Sequence, residues 1–299
     1  MNYYIGIDIG GTNIRAAILN ENYSMIDKIK IQNNVSEGPC KNIGDLCNYI
    51  KKIWGKYNIK SIGVGCPGPL DLRQGKILNP PNLLGWENFE IKKFIETEFG
   101  VPVAVNNDAN VAGYGEAKVG SGKDSESVYY ITLSTGIGGG YIYKGEIVNG
   151  FNNVAAELCN MIINEDTYSH SGLNKGALEG QCSGINISRI ATEKLNKHIS
   201  TKEVFEQAQL KNPYCKEIIN NWVINISKAI ANIIVIVDPE VIVLGGSIIL
   251  HNSTYLKDIV SQVKKMVFET VNVNIKLAEI GDDAGLIGSA ILATSLINE

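Results

Sequence analysis

Basic charge is the first thing this 299-residue sequence lacks: 27 Lys and Arg stand against 31 Asp and Glu, for a formal net charge of −4. A protein that grips nucleic acid or another polyanion usually carries a basic excess or stripe, so that class of partner is disfavoured. Long apolar runs are missing too. The longest, Ala229 to Val237, is interrupted by Asn232 and closed by Asp238-Pro239, well short of the about 20 residues that span a bilayer. The start, MNYYIGIDIGG, has neither the basic stretch nor the apolar core of a secretory signal. Six cysteines (Cys40, Cys47, Cys66, Cys159, Cys182, Cys215) are scattered without a CxxC pair, and three histidines (His170, His198, His251) keep no regular spacing. Reduced thiols in a cytoplasmic protein are the expectation. Proline is scarce at 8, whereas glycine reaches 31. Glycine at that level without low complexity implies tight turns, or backbone that must approach a ligand closely.

What is present is enough for one large domain or two ordinary ones, with 44% hydrophobic residues and no linker, charge block or simple repeat. Strand and helix patterns alternate throughout, which predicts an α/β fold. Tyr3–Ile9 and Ile14–Leu19 read as strands joined by Gly10-Gly11-Thr12-Asn13. A helix is expected over 43–57 and a short strand over 61–65, ending in Cys66-Pro67-Gly68-Pro69. A strand over 101–105 runs into Asn106-Asn107-Asp108, with a helix from Asp108 to about Gly115. A second hairpin pairs 127–133 with 140–143. Residues 184–237 are mostly helical, 241–244 is a buried strand entering Gly245-Gly246, and 286–296 is a closing helix. A glycine-rich hairpin near residue 10 is thus echoed near residue 136, which suggests two related halves facing one cleft.

The chemistry concentrates at those turns. Backbone without Cβ atoms lets N–H groups converge on an anion, and Thr12 adds a hydroxyl. Asp8, closing a buried strand, is placed to hold a metal through water, and Arg15 on the return strand to face phosphate. An ordinary hairpin explains two glycines equally well. Thr135-Gly136-Ile137-Gly138-Gly139-Gly140 exceeds what a hairpin needs and reads as a second phosphate cradle. Asp108 emerges at a strand's carboxyl end, where open α/β sheets gather ligands. It is a proton acceptor for a substrate hydroxyl or a helix N-cap, and the sequence leaves both open. Glu157 and Glu179 stand as isolated acids among apolar neighbours.

In order and spacing, Asp8-x-Gly10-Gly11-Thr12-x-x-Arg15, Pro67-Gly68-Pro69, Asn79-Pro80-Pro81-Asn82-Leu83-x-Gly85-Trp86, Asn107-Asp108-Ala109-Asn110, Gly115-Glu116, Thr135-Gly136-x-Gly138-Gly139-Gly140 and Leu244-Gly245-Gly246 resemble the ROK (repressor, open reading frame, kinase) family of sugar kinases. The resemblance covers nearly the whole chain. It implies two actin-like (ribonuclease H-type) α/β domains around an ATP and sugar cleft, with residues 1–117 and 285–299 forming one and 118–284 the other. Asp108 becomes the catalytic base toward a sugar 6-hydroxyl. Asn82, Asn107, Glu157, Asn160 and Glu179 become sugar contacts, with Gly68 and Gly75 lining the site. Gly10, Gly11, Thr12, Asn13, Arg15, Thr135, Gly136 and Gly138 fall on the phosphate side, Gly245, Gly246 and Gly285 on the nucleotide-base side. Asp8 would position Mg²⁺ through water. A homodimer is the implied assembly.

Two departures stand out. The family's Glu-x-Gly-His reads Glu157-Leu158-Cys159-Asn160, so the residue that contacts sugar and a structural zinc is an asparagine, a poor zinc ligand. The zinc-binding Cys-x-Cys-Gly-x-x-Gly-Cys-x-Glu becomes Ser169-His170-Ser171-Gly172-Leu173-Asn174-Lys175-Gly176-Ala177-Leu178-Glu179, without its cysteines and one residue longer. The expectation is a zinc-free protein; a site rebuilt from Cys159, His170 and Cys182 fits no common spacing. Family repressors carry an N-terminal winged helix-turn-helix before the first glycine motif, and here Asp8 already lies in the first strand, so a kinase is expected rather than a regulator. A sugar-sensing module with a dead site is disfavoured by Asp108 and both turns. N-acetylmannosamine, in sialic-acid breakdown, is the leading substrate, glucose the alternative.

Overall fold

The computed structural model describes residues 1–297; the last two residues of the expected 285–299 segment lie outside them. The chain opens with β1 (Tyr3–Ile9), β2 (Asn13–Asn20) and β3 (Met25–Gln32), an antiparallel meander, followed by α1 (Pro39–Trp54). That helix starts earlier than the sequence suggested because Pro39 fits its first turn, and it ends at Gly55. Strand β4 (Ile59–Cys66) leads to a small hairpin of β5 (Leu70–Asp71) and β6 (Lys76–Ile77). Next come α2 (Ile91–Phe99), β7 (Val103–Asn107) and α3 (Asp108–Val119).

The second meander is β8 (Ser127–Leu133), β9 (Ile137–Tyr143) and β10 (Glu146–Ile147). An irregular stretch precedes α4 (Leu178–Cys182), α5 (Gly184–Leu195), α6 (Thr201–Gln209) and the long α7 (Pro213–Val237). The chain ends with β11 (Val241–Gly245), α8 (Ser247–His251), α9 (Leu256–Lys264), β12 (Ile275–Leu277) and α10 (Ala284–Ser295). By length and composition α7 resembles a membrane span, yet 61% of its most apolar window is buried inside the protein. It is a core helix.

Two five-stranded sheets result, ordered β3-β2-β1-β4-β7 and β10-β9-β8-β11-β12. Each has an antiparallel meander on one side and two parallel strands on the other. The central strands β1, β4, β8 and β11 are apolar on both faces because helices cover both. Between the sheets, α3 and α10 cross so closely that a Cβ on Gly288 would fall 1.7 Å from the Val111 carbonyl oxygen. Helix α10 packs on β1 and β4, while α3 packs on β8 and β9. The Gly10, Asn106–Asp108, Gly136 and Gly245-Gly246 segments lie at the carboxyl ends of β1, β7, β8 and β11, strands with parallel partners, the edge at which open α/β sheets take ligands.

Candidate active site

Register builds the first side of the site. Asp8 and Arg15 stand directly opposite on β1 and β2, so the guanidinium closes on the carboxylate: Nε donates to Asp8 Oδ2 at 3.0 Å, Nη2 donates to the same oxygen, and Nη1 donates to the Asp282 carbonyl at 2.8 Å. Arg15 borders the cleft, with its guanidinium charge matched to Asp8. One Asp8 oxygen stays outside that pairing. In the turn, Gly10 N–H donates to the Asn13 carbonyl and Asn33 Nδ2 to the Gly10 carbonyl. Among the described residues the Gly11 and Thr12 amides have no protein acceptor.

The second turn is held differently. Ser134 N–H donates to the Gly136 carbonyl, Gly184 N–H donates to the Ser134 carbonyl, and the Ile137 amide donates to Glu179 Oε2 at 2.7 Å. A Cβ on Gly136 would sit 2.9 Å from that same carboxylate oxygen. A side chain at 136 would have to displace the Glu179 carboxylate from the turn.

Between the turns sits Asp108. Asn107, not Asp108, caps α3: its side chain accepts the Ala109 amide at 2.9 Å, and Asp108 occupies the first helical position. Asp108 Oδ1 accepts the same amide at 2.8 Å, an arrangement that favours the carboxylate. Burial outweighs it. With Asp8 and Glu157 adding negative charge nearby, the Asp108 carboxyl is pushed up to about 6. Glu157 is raised as well, mainly by burial and then by Glu179, against a lowering contact from the Cys159 thiol.

Two cavities meet at this point. A cleft of about 610 Å³ brings together Asp8, Gly10, Arg15, Gly68, Asn82, Asp108, Thr135, Gly136, Gly138, Glu179, Gly246 and Gly285. A neighbouring cavity of about 370 Å³ is lined by Gly68, Asn107, Glu157 and Glu179. Gly68 and Glu179 border both. A third, of about 890 Å³, opens beyond Ser134, Thr135 and Ser247 between α5, α6 and α8.

Several expected residues stand elsewhere. Gly75 turns the β5–β6 hairpin with φ +62° and faces Lys92. Gly11 backs onto the Asn82 carbonyl, and Thr12 and Asn13 lie behind it, the Thr12 carbonyl accepting from Asn33 N–H. Gly245 lies under the Tyr130 ring, leaving the cleft wall to Gly246. Gly285 lies against the Asp8 carboxylate, 3.3 Å from Asp8 Cγ to a built Cβ, and not among the residues of the large third cavity. Asn160 does not line the 370 Å³ cavity; its side-chain oxygen accepts the Asn174 amide at 2.7 Å. It ties down the rebuilt loop.

That loop is held by an Ile162–Ala177 bridge, by Ser169 Oγ donating to the Leu173 carbonyl, and by the Arg189 guanidinium 3.5 Å from the Tyr168 ring centre. Among the described residues no group of three or more His, Cys, Asp or Glu is arranged to hold a metal ion. Cys182 is fully buried.

Sequence reasoning missed part of the smaller cavity. Asn110 Nδ2 donates to Asn106 Oδ1 at 3.0 Å and Asn106 Nδ2 donates to Asn149 Oδ1 at 3.0 Å, a chain of amides behind Asn107. Asn110 Oδ1 is buried without a partner. Asn152, Asn153, Cys159 and Ser171 complete the wall. The density of asparagine around residues 106–110 and 149–153 was the available signal.

A family model described as "ROK family" matches residues 4–295. The chain belongs to the ROK family. A glucokinase of Halalkalibacterium halodurans is 32% identical over 314 residues, covering 97% of this chain and 94% of the relative. Among solved structures, a ROK hexokinase from Thermus thermophilus superposes with a TM-score of 0.92 at 28% identity, covering 99% of each chain. A ROK family glucokinase from Streptomyces griseus, in complex with glucose and AMPPNP, gives 0.78 at 25% identity over 98% of this chain and 99% of that one. The ROK fold, two actin-like α/β halves around a cleft, is therefore the fold of this chain, and the three relatives above are a hexokinase and two glucokinases.

Proposed function

We propose that this ROK protein transfers the γ-phosphoryl group of ATP to the 6-hydroxyl of an N-acetylhexosamine, with N-acetylmannosamine as the leading substrate. The observation that carries the reading is Asp108, half-buried and raised to about 6, in a cleft lined by two glycine turns and next in the chain to Asn107 of the adjoining amide-lined cavity. A carboxylate with that affinity is ionised at neutral pH and still basic enough to accept a hydroxyl proton. In the transfer the sugar O6–H bond breaks and its proton passes to Asp108. The new bond joins O6 to the γ-phosphorus, and the bond from phosphorus to the ADP oxygen breaks. Asn107, Glu157 and Glu179 orient the sugar, a positioning role that supplies much of the rate in phosphoryl transfer.

The residues fit Mg·ATP. Mg²⁺ keeps several waters and takes one or two carboxylates plus substrate phosphates, and Asp8 offers one oxygen outside its pairing with Arg15, in the same cleft as Gly10 and Gly136. The ion, held by Asp8, would neutralise charge on the phosphates. The third cavity adjoins Thr135 and Ser247 and has room for a nucleoside.

For the sugar, the smaller cavity faces its amides with an apolar wall of Leu70, Leu72, Leu78, Pro81, Val154 and Leu173. Such a wall suits the methyl of an acetamido group. Glucose is the second reading, favoured by the Halalkalibacterium halodurans relative. We further propose that residues 1–117 with 285–299, and 118–284, move as the two closing units of a cytoplasmic homodimer. A coupled ADP-release assay across N-acetylmannosamine, N-acetylglucosamine, glucose, fructose and allose tests the function. Turnover of none overturns it, and glucose outpacing both acetamido sugars moves the assignment to a glucokinase.

A further inference from the structure

Among the described residues, Glu179 is the one acidic side chain that borders both the phosphate cleft and the smaller cavity. Its Oε2 is fixed by the Ile137 amide of the second turn at 2.7 Å. Its Oε1 has a different neighbour: His170 Nε2 lies 3.5 Å away, with only 18% and 16% of the two side chains exposed. His170 comes from the loop that, in the family pattern, would hold zinc. It lines neither cavity, so it reaches the site only through Glu179.

The loop is shaped to deliver this imidazole. Ser171 and Gly172 turn with positive φ, and the Leu173 amide donates back to the His170 carbonyl at 2.8 Å. Tyr168 and His170 lie together over Gly180, where a Cβ would meet both at 3.7 and 3.8 Å. Arg189 then clamps Tyr168 from α5 and donates to the Gly180 carbonyl at 3.1 Å. A carboxylate held on one oxygen alone can still rotate about that bond, and a donor beside the second oxygen fixes its plane.

We propose that His170 is a positioning residue for the sugar: it orients Glu179, so that the metal-free loop does through an imidazole–carboxylate contact what a rigid loop core would otherwise do. This rests on the sugar-kinase reading of the site, with Glu179 as a sugar contact.

The test uses the full chain and two readouts. Calorimetric binding of N-acetylmannosamine and of glucose to the wild-type protein comes first; a protein that binds one of them but lacks turnover loses the kinase reading and leaves His170 measurable through affinity. His170→Ala is expected to raise the sugar KM, or Kd, about tenfold, the order of effect of losing one close polar contact to a charged group. The ATP KM should change less than twofold. His170→Gln, which keeps a donor of similar reach, should recover to within threefold of wild type. In a Glu179→Gln background, His170→Ala should add less than twofold, because both changes remove one contact. Unequal loss of folding is read from thermal midpoints, and His170→Leu, apolar and of similar bulk, should behave as His170→Ala. Full multiplicative loss in the double variant, failure of the glutamine to recover affinity, or wild-type sugar affinity in His170→Ala each overturns the proposal.

Discussion

The two sheets follow one course, β3-β2-β1-β4-β7 and β10-β9-β8-β11-β12, yet the turns that open them are built from opposite chemistry. The β1–β2 turn is charged, with the Asp8–Arg15 pair formed across the hairpin and Lys28 pairing with Asp283 at the cleft's edge. The β8–β9 turn carries no charge of its own. Its amide at Ile137 is met by Glu179, which arrives from 42 residues away. The first half thus supplies charge from its own strands, while the second borrows it from helix α4. The same strand order carries a turn flanked by its own charge pair in one half and a turn met by a distant carboxylate in the other.

Asp108 belongs to the first half and should show the largest effect. Asp108→Asn is expected to cut turnover by at least about a thousandfold with sugar affinity within threefold; a loss under tenfold removes it as the base. The wild-type kcat/KM should fall close to tenfold per pH unit below about 6, the raised value of this carboxyl. Stability carries the opposite sign. The folded-state value lies above the unfolded value of about 4, so the contribution of Asp108 is fully present below about pH 4 and is lost as pH rises through about 6. Asp108→Asn should therefore exceed wild type by about 1 kcal/mol at pH 7.5, a figure reduced because the group is only half-buried, and lose that advantage by pH 4.5. Equal melting shifts at both pH values would remove the buried-charge explanation.

Asp8 tests whether the charged turn serves the metal. Asp8→Asn is expected to lower kcat about a hundredfold and to raise the Mg²⁺ concentration needed for half-maximal rate, leaving sugar affinity near wild type. Equal damage to sugar and nucleotide binding would make the Asp8–Arg15 pair a folding element.

Matched glycine substitutions compare the turns directly. Gly136→Ala places a methyl 2.9 Å from Glu179 Oε2, so it should raise the sugar KM about tenfold by displacing a carboxylate that borders both cavities. Gly10→Ala meets only the Asn13 carbonyl at 3.3 Å and should leave the sugar KM within twofold. Identical profiles for the two variants would erase the distinction between the halves.

The same contrast explains what the sequence made legible. Both turns close apolar strands, so a short window exposes them, and Asp108 follows β7 directly. The Asp8–Arg15 pair follows from register outward from the turn, where Ile9 faces Ile14 and Asp8 faces Arg15. Strand β3 escaped because its outward residues, including Lys28 and Lys30, break the apolar pattern at a sheet edge. The helix α2 was not assigned although Gly100 stops it in the left-handed conformation. Glu179 against Ile137, and His170 against Glu179, depend on a loop folding back over α4. No local pattern records that return.

The smallest effect concerns that loop. Asn160 was expected to face sugar, and its side-chain oxygen accepts the Asn174 amide instead. Asn160→Ala removes one hydrogen bond at an exposed site, which costs about 1 kcal/mol at most. The expected outcome is a slight fall in melting temperature, faster proteolysis within 164–177, and sugar KM within threefold, because Tyr168–Arg189 and the Ile162–Ala177 bridge still hold the segment. Elemental analysis of the wild type should give far less than one zinc per chain, with chelators leaving its melting temperature unmoved. A tenfold rise in sugar KM for Asn160→Ala would return Asn160 to the sugar site. Stoichiometric zinc would show that the second half borrows a metal as well as a carboxylate.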